Sequence, residues 1–247
     1  MKLNQDNYYS VEANQQFFSV SQYKDFMKCE AMALAKIRGE YRPAMTKAML
    51  TGSFVDTYFE GTLDSFMKEH PEVFTRKKEL RSEYRKANEI IQRVTEDKLF
   101  AQFMSGEKQR IMTFEMFGVP WKMKMDSYLP GICITDLKVV ANFRSLPLWR
   151  YDLQGAVYQE GVRLNTGEQL PFYLAVATKE RVTDLDIFQI TQTVLDIALR
   201  EVEMNIQHFM RVKEGLEDPS CCGKCDYCKG IKGAKIRDYS ELLEGIR

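Results

Sequence analysis

The most informative segment of the chain is Met123-Lys-Met-Asp126-Ser-Tyr-Leu-Pro-Gly131-Ile-Cys-Ile-Thr-Asp136-Leu-Lys138. Pro-Gly is a turn signal between two strand-like runs, which predicts a β-hairpin. Asp126 and Asp136 lie symmetrically about Gly131. A hairpin without a bulge would therefore place them opposite each other, with Cβ atoms about 4.5–5.5 Å apart. Because side chains alternate along a strand, Lys138 would share the face of Asp136.

Two carboxylates and one ammonium on one patch would suit metal-assisted chemistry on a phosphodiester. Close carboxylates repel each other unless a cation lies between them, and oxygen ligands suit Mg²⁺ or Mn²⁺. A bound cation can activate a water and stabilise charge on a scissile phosphate, while a lysine offsets developing negative charge. The alternative is a surface hairpin whose charges are solvated, and the spacing alone does not decide between the two.

The segments around the hairpin predict a mixed α/β chain. Strand-like segments form a three-strand meander and two later strands, at 110–117, 121–129, 132–140, 171–178 and 184–191. Helical periodicity predicts helices at 19–39, 43–61, 77–98, 148–164 and 192–214. This order predicts a mixed α/β core with an N-terminal helical elaboration.

The composition is that of an ordinary globular protein. Hydrophobic residues make up 45% of the 247 residues, and 35 basic residues balance 35 acidic ones. No overall basic excess points to nucleic acid, although a local basic groove is compatible with a neutral total. No apolar run approaches the roughly 18–20 residues that cross a bilayer, and the polar N-terminus lacks a signal-peptide core. We therefore expect a cytoplasmic protein without membrane contact.

Four further motifs, in their order along the chain, carry a resemblance to a nuclease superfamily. They are Ser21-Gln-Tyr-Lys-Asp-Phe-Met-Lys-Cys29, Gly52-Ser-Phe-Val-Asp56, Gln154-Gly-Ala-Val-Tyr158 and Cys222-Gly-Lys-Cys225-Asp-Tyr-Cys228. Together with Asp126 and Asp136-Leu-Lys138, this set resembles the PD-(D/E)XK nucleases. Within them it is most similar to the phage-associated, exodeoxyribonuclease VIII (RecE)-like and RecB-like nucleases. The ordered set is specific, whereas each motif alone is not.

The resemblance implies a restriction-endonuclease-like core, in which a central mixed sheet of four to five strands is flanked by helices. On this basis residues 1–247 form a single nuclease domain. Its parts are an N-terminal helical part (1–105), a nuclease core (106–215) and a cysteine-containing tail (216–247). The implied activity is that of a Mg²⁺- or Mn²⁺-dependent exodeoxyribonuclease, which hydrolyses linear double-stranded DNA in phage-type recombination.

The resemblance also implies roles for the hairpin residues. Asp126 and Asp136 would bind the metal together with the backbone carbonyl of Leu137. Lys138 would be the catalytic lysine.

Two helical motifs would complete this site. Gln154 and Tyr158 match a Q-x-x-x-Y motif that supports the site and contacts DNA, and their i, i+4 spacing places them on one helix face. An amphipathic helix with two polar positions is the alternative. Asp56 stands where the family usually has a metal-contacting histidine. A carboxylate can also bind Mg²⁺, so Asp56 would be a third ligand, or the change would weaken activity.

Cysteines near both ends of the chain suggest a second metal site. Cys222, Cys225 and Cys228 supply three thiolates, and Cys29 could supply the fourth. Several RecB-like nucleases hold a [4Fe-4S] cluster in this way, with one cysteine before the nuclease core and three after it. Four thiolates can also hold a structural Zn²⁺. A cluster, zinc and no metal are therefore all kept open.

Positive charge that could contact DNA is concentrated in two places. Lys77, Arg81 and Arg85 recur at helical spacing and could line one face toward phosphates. Glutamates between them also fit a solvated helix with internal ion pairs. Lys122 and Lys124 flank the hairpin site.

The expected partners rest on analogy with recombination exonucleases. They are linear duplex ends, a single-strand annealing protein and further copies of the chain in a ring. Two other functions are kept open. One is a cluster-bearing repair or CRISPR-adaptation-type nuclease that could act as an endonuclease. The other is an inactive nuclease-fold protein that only binds DNA.

Overall fold

The structure, a computed structural model, describes residues 1–236 and 238–240. Its centre is one five-stranded sheet made of β1 (Glu107–Met116), β2 (Val119–Leu129), β3 (Cys133–Val140), β4 (Phe172–Thr178) and β5 (Leu185–Ile190). The strands lie in chain order across the sheet. Three neighbouring pairs are antiparallel, and β3 pairs with β4 in parallel. The predicted mixed sheet of four to five strands is confirmed.

Helices surround this sheet. They are α1 (Val11–Gln16), α2 (Val20–Lys28), α3 (Glu30–Ile37), α4 (Lys47–Glu60), α5 (Leu63–Glu69), α6 (Ser82–Glu96), α7 (Lys98–Phe103), α8 (Tyr151–Thr166), α9 (Gln192–Glu214) and α10 (Asp226–Ile231). Short 3₁₀ helices span Pro71–Val73 and Phe143–Trp149. Among the described residues, none of the helices is long and apolar enough to cross a membrane.

Apolar clusters cover both faces of the sheet. On one face, side chains of α2, α3, α8 and α9 pack against β1 and β2 around the buried Trp121. On the other face, α4, α6 and α7 pack against Leu137 of β3 and Ala175 of β4. A strand that is buried on both faces reads as a continuous apolar run, and this explains the Phe172–Thr178 sequence of β4. The two layers of helices hold β3 and β4 from both sides.

Two predicted helices differ from the observed ones in ways that matter for the site. The predicted helix at 19–39 is broken at Cys29, whose extended backbone (φ −170°, ψ 109°) ends α2 and precedes α3. The predicted helix at 77–98 begins only at Ser82, because Phe74 and Leu80 pair as an isolated bridge around a turn. Lys78 has a left-handed backbone (φ 61°) in that turn, which a continuous helix cannot include.

Candidate active site

The β2–β3 hairpin has the predicted register. Its strands pair Ser127 with Thr135 and Leu129 with Cys133, so Asp126 and Asp136 occupy the next position of the same register. Gly131 has φ 71° in the turn, a backbone conformation that glycine adopts at little cost. The backbone pairing of β2 with β3 ends at Ser127 and Thr135. Beyond it, a side-chain oxygen of Asp126, in place of a backbone carbonyl of β2, accepts the hydrogen bond from β3.

Asp126 accepts a 2.9 Å hydrogen bond at Oδ2 from the backbone N–H of Leu137. In an extended strand, the N–H and C=O of one residue point toward the same neighbouring strand. The carbonyl of Leu137 therefore faces the gap that the Asp126 side chain fills. This direction agrees with the predicted role of that carbonyl beside the two aspartates.

Asp136 is the most buried carboxyl of the group, at 2% exposure. Its Oδ1 accepts a 2.7 Å hydrogen bond from Nε2 of Gln154, and its Oδ2 forms an ion pair with the Lys138 ammonium. Burial raises the pKa of Asp136, Lys138 acts against this rise, and the nearby Asp126 adds to it. For Lys138, burial opposes the charge, but Asp136 and Asp126 raise its pKa overall.

Asp56 joins this group from α4. Its side chain keeps contact with solvent. The pKa of Asp56 is raised to about 8, mainly by desolvation of its carboxyl and next by the charge of Asp126. The charge of Lys138 opposes this rise. Asp136 and Glu60 contribute in the same direction as Asp126. The predicted site residues on α4, β2 and β3 are thus close enough to influence one another's protonation.

This donor set fits a divalent cation. The charges of Asp126 and Asp136 raise the pKa of Asp56, and the charge of Asp126 raises the pKa of Asp136, so the three carboxyls lie near one another. Hard oxygen donors of this kind are those that Mg²⁺ and Mn²⁺ prefer.

The Q-x-x-x-Y pair lies on one face of α8, as its spacing predicted. Gln154 holds Asp136, whereas the Tyr158 hydroxyl donates a 3.1 Å hydrogen bond to the backbone carbonyl of Lys124 on β2. Tyr158 is only 8% exposed. Its hydroxyl therefore ties α8 to β2, and the predicted contact of this tyrosine with DNA stays a prediction.

Two residues near the site were missed by the sequence analysis. The Tyr151 ring lies 5.2 Å from the Lys138 ammonium and 5.4 Å from that of Lys24. Lys24 also donates a 3.0 Å hydrogen bond to the carbonyl of Trp149. Burial, and then the charge of Lys138, lower the pKa of Lys24 to about 8. Lys24 lies within the motif that begins at Ser21, but no spacing rule indicates that α2 packs against α8, which carries Tyr151.

The predicted basic face at residues 77–85 does not exist as a helix face. Lys77 lies in the turn before α6. Arg81 and Arg85 donate hydrogen bonds to the carbonyls of Phe74 and Leu80 in that turn. All three are exposed, but they do not form the regular stripe that the sequence suggested.

The two hairpin lysines differ from each other. Lys122 is 1% exposed, and its ammonium donates to the carbonyl of Tyr8 and to Oδ1 of Asn14. Its predicted contact with DNA is therefore wrong in the described conformation. Lys124 is half-buried. Its ammonium lies 3.6 Å from the Glu60 carboxylate and 4.9 Å from the ring centroid of Tyr9.

The four predicted cysteines meet between α3 and α10. The sulfurs of Cys29, Cys222, Cys225 and Cys228 all lie within 4.8 Å of one another. Cys29 is the residue that interrupts the predicted first helix, and its sulfur lies 3.4 Å from that of Cys228. The neighbouring Cys221 is exposed and outside this group.

The spacing of the sulfurs suits one tetrahedral ion. A Zn–S distance of about 2.3 Å places the corners of a tetrahedron about 3.8 Å apart. The sulfur of Cys228 lies 3.4 Å from that of Cys29 and 4.0 Å from that of Cys222, close to that value. A [4Fe-4S] cluster distributes its thiolates over several iron atoms and so holds them farther apart. The four cysteines can therefore hold a metal.

Comparison with known proteins places this chain in a family. The sequence model described as "PDDEXK-like domain of unknown function (DUF3799)" matches residues 19–231. The chain belongs to this family. Membership confirms the expected PD-(D/E)XK superfamily, while the likeness to RecE-like enzymes stays a prediction.

Solved structures extend the comparison of this PDDEXK-like chain. A crystal structure described as "Putative exonuclease" from Eubacterium rectale is 45% identical to it, covers 98% of both chains and has a TM-score of 0.95. A second structure, of SSO0001, is 13% identical over 95% of this chain, and its TM-score of 0.46 supports no inference. A search of curated proteins finds no match.

Proposed function

We propose that this PDDEXK-like chain is a divalent-metal-dependent DNA nuclease that hydrolyses phosphodiester bonds. The observation that carries the proposal is the convergence of Asp56, Asp126 and Asp136 beside Lys138. A bound Mg²⁺ or Mn²⁺ would lower the pKa of a water and stabilise negative charge on the scissile phosphate. Asp126, Asp136, Asp56 and the carbonyl of Leu137 would hold that ion.

The protein's own residues would orient and balance this site. Gln154 fixes one oxygen of Asp136. The Lys138 ammonium, which is held charged by its neighbours, would offset charge that develops on the phosphate oxygens. Tyr158 would keep β2 in place through the Lys124 carbonyl.

The finer proposal is an exonuclease that acts on the ends of linear double-stranded DNA. It is supported by the relative described as "Putative exonuclease", with which the chain shares 45% identity over nearly its whole length. A place in phage-type recombination, a single-strand annealing protein and a ring of copies are proposed on the resemblance to RecE-like nucleases alone.

Digestion of linear and covalently closed circular DNA tests this proposal. With Mg²⁺ or Mn²⁺, the protein should degrade the linear form and leave the circle intact, and a chelator should abolish the reaction. Cleavage of the circle would instead support the repair or CRISPR-adaptation-type endonuclease. Binding without cleavage under all metal conditions would support the inactive DNA-binding protein.

We also propose that the four cysteines bind a structural metal that joins α3 to the C-terminal tail, and the sulfur spacing supports Zn²⁺ over [4Fe-4S]. Metal analysis of protein purified without oxygen tests this. Colourless protein with one zinc per chain is expected, and a Cys29→Ser variant should lose the zinc. Brown protein with an iron–sulfur absorption band would overturn the assignment to zinc.

A further inference from the structure

A pocket of about 140 Å³ lies beside the candidate active site. Gln154 and Tyr158 form one wall, and Gln154 also contacts Asp136. The other walls come from the N-terminal segment, α2 and β2, and they include Tyr8, Tyr9, Ser21, Lys24 and Lys124. The pocket thus adjoins the carboxyls through a shared side chain.

Tyr9 offers an aromatic surface at this pocket. It is 69% exposed although it contacts its neighbours. Its ring meets that of Tyr8 edge-on, with centroids 4.9 Å apart and an angle of 87°. The Lys124 ammonium lies 4.9 Å from the Tyr9 centroid. These contacts orient the ring without covering most of the residue.

The segment that carries Tyr9 is firmly attached. Tyr8 is 6% exposed, and the buried Lys122 donates to its carbonyl and to Asn14. Gln22 of α2 donates to the carbonyl of Asn14. A buried lysine with two acceptors is costly to remove, so Tyr9 is held in place before any ligand arrives. The family match begins at residue 19, so this aromatic wall lies outside the matched residues.

The charges of the pocket suit a phosphate. Lys24 and Lys124 both line it, and Ser21 adds a hydroxyl. Glu60 offsets part of the charge of Lys124 at 3.6 Å. Two ammoniums next to an exposed tyrosine are the combination by which proteins bind single-stranded nucleic acid, since lysines contact the backbone and aromatic rings stack on bases.

We propose that this pocket binds one unpaired nucleotide of the DNA substrate, with its base stacked on Tyr9 and its phosphate held by Lys24 and Lys124. The inference rests on the proposed nuclease function and adds to it a preference for DNA ends with unpaired nucleotides. Bases within a duplex stack on each other, so only an unpaired base presents a free face to Tyr9. DNA ends that are frayed or single-stranded should therefore bind more tightly than blunt ends.

Fluorescence of 2-aminopurine tests the stacking directly. Linear DNA with this base at each of the last few positions of one strand is titrated with protein in Ca²⁺, and cleavage in Mg²⁺ is measured separately. Wild type should quench the fluorescence at one or two adjacent positions. Tyr9→Phe and Tyr9→Trp should keep the quenching. Tyr9→Ala should lose it and bind single-stranded ends about 5- to 150-fold more weakly, the usual effect of removing one stacked aromatic.

Tyr239→Ala is the matched control, because Tyr239 is similarly exposed at 73%. Unchanged quenching in Tyr9→Ala, or an equal loss in Tyr239→Ala, would overturn the proposal. So would the absence of quenching in wild type. Absence of cleavage by a wild-type protein that still quenches would instead count against the nuclease function and leave the stacking site standing.

Discussion

Gln154 donates a 2.7 Å hydrogen bond from Nε2 to Oδ1 of Asp136, whose other oxygen forms an ion pair with Lys138. Side chains from α8 and β3 thus fix both oxygens of one buried carboxyl. A ligand held in this way keeps its orientation before a metal arrives, and the partners that orient metal ligands contribute strongly to affinity and activity.

We predict that Gln154→Ala lowers kcat about 10- to 100-fold with little change in KM for DNA, because Asp136 loses the group that orients it. Steady-state cleavage of linear duplex in Mg²⁺ measures both constants. Gln189→Ala, at an exposed glutamine on β5, is the control and should match wild type. A Gln154→Ala enzyme that changes only in KM would indicate a contact with DNA in place of this positioning role.

Removal of Lys138 should separate metal binding from catalysis. We predict that Lys138→Ala lowers the cleavage rate about 100- to 1,000-fold, the usual effect of losing one preorganised charge partner. Binding of Mn²⁺ should persist, because the ammonium competes with the ion for Asp136. Calorimetric titration with Mn²⁺ checks the second point. A variant that cleaves at the wild-type rate would remove Lys138 from the mechanism.

Metal binding should be linked to protons at Asp56. The pKa of Asp56 is raised to about 8, so the acid form predominates below that pH and must lose its proton to bind a cation. In the metal-free protein, the folded state keeps this proton at a pH where the unfolded chain has lost it. The free energy of unfolding therefore falls as pH rises from the usual pKa of an aspartate toward about 8. A bound ion offsets that loss.

We therefore predict that Mn²⁺ raises Tm more at about pH 9 than at about pH 6. Asp56→Asn should show a smaller dependence on pH, whereas Asp186→Asn, at an exposed position on β5, should behave like wild type. A Tm increase that is independent of pH in wild type would contradict the proton linkage.

Lys122 should matter for stability. Its buried ammonium holds the carbonyl of Tyr8 and Oδ1 of Asn14, and burial lowers its pKa to about 8. We predict that Lys122→Ala lowers the free energy of unfolding by about 2–4 kcal/mol, through lost packing and unpaired acceptors. Urea unfolding checks this value. A variant of wild-type stability whose DNA affinity depends less on salt would instead restore the predicted DNA contact.

The hairpin could be predicted because its information is local. The Pro-Gly turn and the equal distances of Asp126 and Asp136 from Gly131 set the register, and Ser127–Thr135 is the pair that this register requires. The strand-like runs and the turns between them likewise predict a three-strand meander, and β1, β2 and β3 are neighbours in the sheet. Packing between distant elements is different, since no local pattern indicates that Lys24 of α2 approaches the Tyr151 ring.

The errors have physical causes of the same kind. Periodicity alone cannot distinguish Lys122 from Lys124, because which lysine is buried depends on the N-terminal segment that covers β2. Residues 77–81 have helical composition, but the bridge between Phe74 and Leu80 overrides it. The helical pattern at 19–39 gives no sign of the break at Cys29, because that break goes with the contact of its sulfur with the sulfurs of Cys222, Cys225 and Cys228.

The decisive test of metal-dependent cleavage at Asp136 is the rate at which end-labelled linear duplex is cut in Mg²⁺ by wild type, Asp136→Ala and Asp186→Ala. We predict that wild type and Asp186→Ala release labelled nucleotides at the same rate, whereas the rate of Asp136→Ala is reduced at least about 1,000-fold because the buried metal ligand is gone. Equal rates for all three proteins, with each shown to be folded, would contradict it.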